Sequence, residues 1–522
     1  MRLTYLSIVC VSAVTVPLLA APCDGLAGLK LPDAEITSAR NVAAGGFVPP
    51  GAPANERVLA PFKTLPEFCR VQGVIHPSSD SHVEFEVWLP ASGWNNRYLG
   101  IGNGGLAGSI VYGSMADALR FGYASSSTDT GHQAAGTDGK WSQGHPEKVT
   151  DYGYRAIHET AVKSKAIVRA FYEKDAAKSY FSACSNGGRQ ALMEAQRYPA
   201  DYDGIIAGAP AAALTRIGAG YIWNLQALAA AAIPAAKLSA IESAVLAACD
   251  ALDGIADGVV DDPRKCQYDP DSLRCAAAES DACLTAPQVA ALKKIYQGPR
   301  NRAGAQLEPG FQPGGETGPQ GWQSWITGTD QAESAEHAFM TSGMEGTPQD
   351  FLAFDFDRDF KRMEDTLAPK LNATNPDLAA FQARGGKLIL YHGWSDPALP
   401  PTGTIGYYQS VVTKLGQKSA DEFVRLYMLP GMQHCGGGPG PNYFSPLPTA
   451  EQDPKQSMFR ALEQWTEKGT APAGIVASKF KTGGNPASGV ARTRPLCPYP
   501  QTARYQGTGS TDEAANFACE AR

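Results

Sequence analysis

Positive charge is in short supply: 45 lysines and arginines stand against 52 aspartates and glutamates, a formal net charge of −7 over 522 residues. A deficit of that sign argues against nucleic acid or an anionic membrane surface as a partner. Long apolar runs are also missing beyond the first 21 residues, and a bilayer-spanning helix needs about 20 apolar residues in succession. No stable membrane anchor is expected. The eight histidines are scattered, with no paired-His or Cys-x-x-Cys spacing, which leaves zinc hydrolase chemistry without a visible ligand set. Repeats of solenoid or propeller period and low-complexity tails are absent. What remains is a chain long enough for one large core with an inserted second domain.

Met1 to Ala21 has a cationic start at Arg2, an apolar run from Tyr5 to Leu19, and small residues at Ala20 and Ala21 before Pro22. This reads as a cleaved secretory signal and predicts a secreted or periplasmic protein. Cys10 falls inside that segment, so ten of the eleven cysteines remain, an even number suited to a complete disulfide set. Short loops close most readily, which pairs Cys23 with Cys69, Cys249 with Cys266, Cys275 with Cys283, and Cys497 with Cys519. Elimination leaves Cys184 with Cys435.

Residues 83 to 89 alternate at period two and read as a strand ended by Pro90, and Tyr98 to Ile101 reads as a second. Helical periodicity from Tyr154 to Tyr172 is followed by a strand at Ser179 to Ala183, a helix at Arg189 to Tyr198 and a strand at Gly204 to Ala207. Strands resume at Lys387 to Tyr391 and Val424 to Met428. Such alternation predicts an α/β protein with a parallel sheet. Between about Ala211 and Asn375 it lapses into alanine-rich helices, four cysteines and Gly/Pro-rich loops. The expected organisation is a catalytic domain of residues 22–210 and 376–522, interrupted by a lid domain of residues 211–375.

Ala183-Cys184-Ser185-Asn186-Gly187-Gly188-Arg189 lies between a predicted strand and a predicted helix, where a nucleophile elbow exposes a serine hydroxyl. Ala183 replaces the first glycine of the usual elbow. A serine needs a base within hydrogen-bond reach and a third group to orient that base. Asp396 follows the strand at Lys387 to Tyr391, and His434 follows the strand at Val424 to Met428. The order Ser, Asp, His is that of an α/β-hydrolase. His392 and His132 are the rival bases; His434 is preferred because its neighbour Cys435 can pair with Cys184 beside Ser185. For the oxyanion donors, the amides of Asn186 and Gly105 are the candidates, with Gly104 as substitute in the run Gly102 to Gly105.

Asp250, Asp253, Asp257 and Asp261 recur three to four residues apart around Gly254 and Gly258. The glycines argue for a loop rather than one helix face. Hard oxygens there suit Ca²⁺, with the carbonyls of Ile255 and Val259 in the shell, although the spacing is not that of an EF-hand. A solvated acidic loop is the alternative.

These segments resemble the tannase and feruloyl esterase family of α/β-hydrolases. The likeness runs through Ala183 to Ala191, Tyr202-Asp203-Gly204-Ile205, Asp250 to Asp261, Phe354-Asp355-Phe356-Asp357, Tyr391-His392-Gly393, Pro430 to Gly438 and Ala491 to Cys497. The resemblance implies an α/β-hydrolase fold with a large inserted lid, Ser185, Asp396 and His434 as the triad, and Gly105 and Asn186 as oxyanion donors. It also implies an active-site disulfide between Cys184 and Cys435, and a structural Ca²⁺ on Asp250, Asp253, Asp257 and the carbonyls of Ile255 and Val259. Trp325, Ala398 and Leu399 would contact the substrate. No arginine lies between Arg302 and Arg358, so the lid arginine that holds the free carboxylate in the terephthalate-monoester branch has no counterpart there.

The expected function is therefore that of a secreted serine esterase acting on small aromatic acyl esters of feruloyl or galloyl type. The alternatives are a mono(2-hydroxyethyl) terephthalate hydrolase and a non-catalytic, calcium-stabilised aromatic-binding protein that keeps the fold.

Overall fold

The computed structural model describes residues 22–53, 55–328 and 350–521, so the predicted signal at Met1 to Ala21 lies outside the described residues. Nine strands among them form one sheet: β1 (Ala34–Val42), β2 (Phe68–Ile75), β3 (Val83–Pro90), β4 (Arg97–Ile101), β5 (Ala124–Thr128), β6 (Lys178–Cys184), β7 (Gly204–Gly208), β8 (Lys387–Gly393) and β9 (Val424–Leu429). Their spatial order is β1-β2-β3-β5-β4-β6-β7-β8-β9. Pairing is antiparallel from β1 to β5 and parallel from β5 through β4 to β9.

The longer helices are α1 (Tyr112–Arg120), α2 (Ala156–Tyr172), α3 (Asn186–Arg197), α4 (Leu214–Ala230), α5 (Ala235–Cys249), α6 (Ala286–Gln297), α7 (Arg358–Leu371), α8 (Pro401–Leu415) and α9 (Met458–Lys468). Successive strand residues point to opposite faces, and the central strands are apolar on both, as strands covered by helices on each side must be. Ile205, Ala207, Leu388 and Leu390 enter one core with α2, α3 and α8. Ile206, Ile389, Tyr391 and Leu429 enter the other with α1 and α9.

The segment between β7 and β8 carries α4 to α7. Leu214, Ile217 and Tyr221 of α4 and Met363 and Leu367 of α7 pack in a third core with Leu106, Ala209 and Leu399, which lie in loops beyond the carboxyl ends of the strands. The insertion therefore covers the edge of a parallel sheet where ligands bind. Five disulfides join Cys23–Cys69, Cys184–Cys435, Cys249–Cys266, Cys275–Cys283 and Cys497–Cys519.

Three strands go beyond the sequence reading. β5 is Ala-Ser-Ser-Ser-Thr and has no hydrophobic alternation, yet it is wholly buried. Three of its four hydroxyls find partners instead: Ser126 meets the Tyr98 hydroxyl at 2.6 Å, Ser127 accepts the Val111 amide at 3.1 Å and Thr128 donates to the Glu84 carbonyl at 2.7 Å, while Ser125 Oγ has none among the described residues. In β2 the apolar pattern is interrupted by Arg70, whose Nε donates to Glu86 on β3 at 2.8 Å inside the sheet. β1 is half-exposed along its length, which hides its period.

Glu308, in the insertion, is buried, and burial pushes its carboxyl up to about 8, with Arg216 opposing and Glu364 reinforcing the shift. The folded protein holds this proton while the unfolded chain, at about 4.3, releases it. Stability therefore falls as pH rises from about 4.5 to 8. Glu308→Gln should flatten that loss in thermal unfolding followed from pH 5 to 8; a slope equal to that of the parent would contradict the assignment.

Candidate active site

Ser185 follows the last residue of β6 and precedes the first residue of α3, with φ +67° and ψ −127°. This strained strand-to-helix turn is the geometry that lifts a serine hydroxyl out of a sheet. Crowding explains how Ala183 replaces the usual first glycine. A Cβ on Gly187 would fall 2.5 Å from the Ala183 methyl, and one on Gly102 would fall 2.8 Å from it. Two neighbouring glycines thus vacate the room that one alanine fills.

Beyond β8 and β9, two loops bring Asp396 and His434 to this turn. His434 Nε2 lies 2.9 Å from Ser185 Oγ, and His434 Nδ1 lies 2.8 Å from Asp396 Oδ2. Asp396 is fully buried and holds four hydrogen bonds. The amides of Ala398 and Leu399 donate to Oδ1 at 2.8 and 2.9 Å, and His392 Nε2 joins His434 on Oδ2 at 3.1 Å. Burial by itself would raise this carboxyl; the charge of His434 and the hydrogen bonds from His392 and His434 outweigh it and hold the group well below the usual carboxylate range. The anion in turn favours the His434 tautomer that carries its proton on Nδ1 and offers Nε2 to the serine.

The rival histidines stand elsewhere. His392 Nε2 faces two acceptors, Asp396 and the Leu399 carbonyl at 3.2 Å, so it carries the proton, and Thr404 lies 2.7 Å from its Nδ1. It backs the aspartate and does not reach Ser185. His132 lies 2.7 Å from the Leu106 carbonyl and stacks on Trp141 at 3.8 Å; burial pushes its imidazole down to about 4. It braces the loop that carries Gly105.

Gly105 and Asn186 line one small cavity with Ser185, Trp325 and Leu399. Gly105 has φ +52°, and a Cβ there would sit 2.5 Å from the Gly136 carbonyl, so only glycine fits this turn. Gly104 is exposed and does not line the cavity. The Tyr152 hydroxyl lies 2.9 Å from Asn186 Oδ1 and 3.2 Å from the Gly105 carbonyl, holding the two segments in register. Fully buried Arg189 donates to Asn186 Oδ1 at 2.8 Å and to the carbonyls of Tyr152 and Gly153 at 3.0 and 2.6 Å. Sequence reasoning assigned no role to Tyr152 or Arg189; the Arg189 position in Ser-Asn-Gly-Gly-Arg was the one available signal.

Trp325 stands edge-on to the His434 ring, centroids 4.9 Å apart. Ala398 is not among the residues lining this cavity but packs beside Leu399 in the same apolar core; its backbone donates to Asp396 and accepts the Tyr221 hydroxyl at 3.0 Å.

Residues 69–520 match the family described as tannase and feruloyl esterase. The chain belongs to the tannase and feruloyl esterase family. It is 43% identical to an uncharacterized esterase of Xanthomonas campestris, over 96% of this chain and 91% of the relative. Identity to the mono(2-hydroxyethyl) terephthalate hydrolase of Piscinibacter sakaiensis is 37%, over 90% and 87% of the two chains. The crystal structure of feruloyl esterase B from Aspergillus oryzae superposes with a TM-score of 0.85 at 30% identity, covering 95% of this chain and 99% of that one. The fold is accordingly that of an α/β-hydrolase with a lid, and the protein is a carboxylesterase. A purely ligand-binding role is set aside.

A second place in this esterase gathers oxygen ligands. Asp250, just after α5, accepts the amides of Asp257, Gly258 and Val259 at 3.1, 3.0 and 3.3 Å, and Asp253 accepts that of Ile255 at 3.0 Å. Burial raises the carboxyls of Asp253 and Asp257 even though Arg492 and Arg494 reach Asp257 at 3.0 and 2.6 Å. Carboxylates and loop carbonyls are hard oxygen donors of the type that Ca²⁺ takes, but here both Asp250 oxygens accept loop amides and Asp257 Oδ2 is paired with the two arginines.

The Cys184–Cys435 bridge flanks both Ser185 and His434, with Cα atoms 6.0 Å apart. It joins positions 251 residues apart in sequence. Replacing both cysteines with alanine should lower kcat for an aryl ester by at least about 10-fold, since small misplacements are costly at reacting atoms. Unchanged kcat, measured on a variant with a lowered Tm, would reduce the bridge to scaffolding.

Proposed function

We propose that this carboxylesterase is an exported serine esterase that cleaves aromatic acyl esters of feruloyl or galloyl type through an acyl-enzyme. The observation that carries the chemistry is the continuous chain Ser185 Oγ, His434 Nε2, His434 Nδ1, Asp396 Oδ2, with 2.9 and 2.8 Å links, opening into the cavity that Trp325 and Leu399 line. Ser185 Oγ attacks the ester carbonyl as His434 Nε2 takes its proton. The amides of Gly105 and Asn186 receive the developing oxyanion. His434 then returns the proton to the leaving alkoxide, which departs as the alcohol. Water, deprotonated by the same nitrogen, releases the aromatic acid and restores Ser185. Asp396, unable to accept that proton because it is held ionised, orients and stabilises the imidazolium.

Apolar walls from Leu214, Ile217 and Leu399 beside the Trp325 ring suit a flat aryl group. Relatives named for feruloyl and terephthalate esters support an aromatic acyl group. The terephthalate monoester is the second reading, favoured by the 37% identity and by Trp325, and opposed by the lack of arginine between Arg302 and Arg358. Export is read from Met1 to Ala21.

Rates on methyl ferulate, methyl gallate and mono(2-hydroxyethyl) terephthalate should rank the first two ahead of the third. A kcat/KM highest for the terephthalate ester would reverse the assignment. Ser185→Ala should lower kcat on each at least about 10³-fold with folding intact; undiminished turnover would sink the triad.

The acidic loop is read as a structural calcium site held by Asp250, Asp253, Asp257 and the carbonyls of Ile255 and Val259. A bound Ca²⁺ would supply charge neutralisation at the foot of the insertion and no step of the ester chemistry. Chelation should lower Tm by several degrees and added Ca²⁺ should restore it, since a ligand of the folded state stabilises it. Asp250→Asn should abolish that difference; an unchanged Tm on chelating the parent protein would leave the loop merely solvated.

A further inference from the structure

At the far end of α3 from Ser185, three ligand-type side chains converge. His158 on α2, Glu194 in the last turn of α3, and Asp201 in the turn before β7 place one imidazole nitrogen and two carboxylate oxygens within 4.8 Å of one another. His158 Nδ1 lies 2.5 Å from Asp201 Oδ2. Glu194 is 1% exposed, Asp201 is 6% exposed, and neither Glu194 oxygen has a donor partner among the described residues; burial and the facing Asp201 push the Glu194 carboxyl pKa up. Two buried carboxylates facing one another are strongly unfavourable without compensating charge.

Neighbouring cations offset this charge only in part. Lys165 donates to the Asp201 backbone carbonyl rather than its carboxylate; burial pushes its ammonium pKa down, and the charges of Asp201 and Glu194 oppose that shift. Lys163 pairs with Glu159 on α2. Arg197 stacks over Tyr154 and donates to the Pro369 carbonyl at 2.7 Å. His158 is held in orientation by stacking on Tyr198, centroids 3.7 Å apart and planes within 7°.

We propose that His158, Glu194 and Asp201 form a site for a first-row divalent transition cation such as Zn²⁺, with water completing a four-ligand shell. One imidazole and two carboxylates make a mixed nitrogen and oxygen set of the kind zinc accepts. On binding, the cation replaces the protons shared within the cluster. It is a clamp between α2 and the carboxyl end of the helix whose other end follows Ser185, and it shares no residue with the Ser185 cavity.

The experiment uses the mature chain with excess Ca²⁺ present, so that the acidic loop is saturated. Equilibrium dialysis against Zn²⁺ is followed by metal counting and thermal unfolding. The parent protein should retain one Zn²⁺ per chain and gain about 3 °C or more in Tm. His158→Ala and Glu194→Gln should lose both, with His158→Ala keeping aryl-ester hydrolysis. If Glu194→Gln does not fold, the half-exposed His158 site still carries the comparison. No retained zinc in the parent, or equal zinc in His158→Ala, overturns the proposal and assigns the cluster to a shared proton.

Discussion

The buried negative charge of Asp396 is the constraint around which the site is arranged. A carboxylate cannot be taken out of water unless its oxygens are satisfied, and this one has four donors drawn from His392, Ala398, Leu399 and His434. Meeting that demand sets the turn after β8 and spends the backbone of Ala398 and Leu399. It also draws the loop after β9 inward until His434 reaches Ser185. The catalytic geometry is thus a by-product of solvating one anion with protein.

Rigid supports on the opposite side complete the arrangement. Tyr152 and Arg189 tie the Gly105 loop to the start of α3, and Arg189 also touches the Leu371 carbonyl at the end of α7 at 3.3 Å. Among the described residues Arg189 has no carboxylate partner; carbonyls and an amide oxygen satisfy it. The insertion is therefore bound to the reacting centre by polar contacts as well as by the apolar core beneath it.

Much of this was legible in the chain. Central strands β6, β7, β8 and β9 are apolar runs bounded by turn residues, so their existence and the positions of Ser185, Asp396 and His434 at strand ends could be read directly. β5 could not, because a serine-rich strand carries no hydrophobic period and is held by hydroxyl partners that lie far away in sequence. Nor could the choice among histidines be made on local grounds alone, since His392 and His434 both touch Asp396.

Local pattern and cysteine parity by themselves determined an α/β sheet interrupted by an insertion, a serine at a strand-to-helix turn, and a disulfide between Cys184 and Cys435. These depend on short-range sterics and on counting, which a linear chain preserves. Tertiary structure alone decided that His392 backs the aspartate, that the Ala398 backbone serves it too, and that Tyr152 and Arg189 brace the oxyanion side. It likewise gathered His158, Glu194 and Asp201, scattered residues with no ligand spacing, into one cluster. Those outcomes follow from where loops distant in sequence must go to satisfy buried polar atoms, and no local window contains that information.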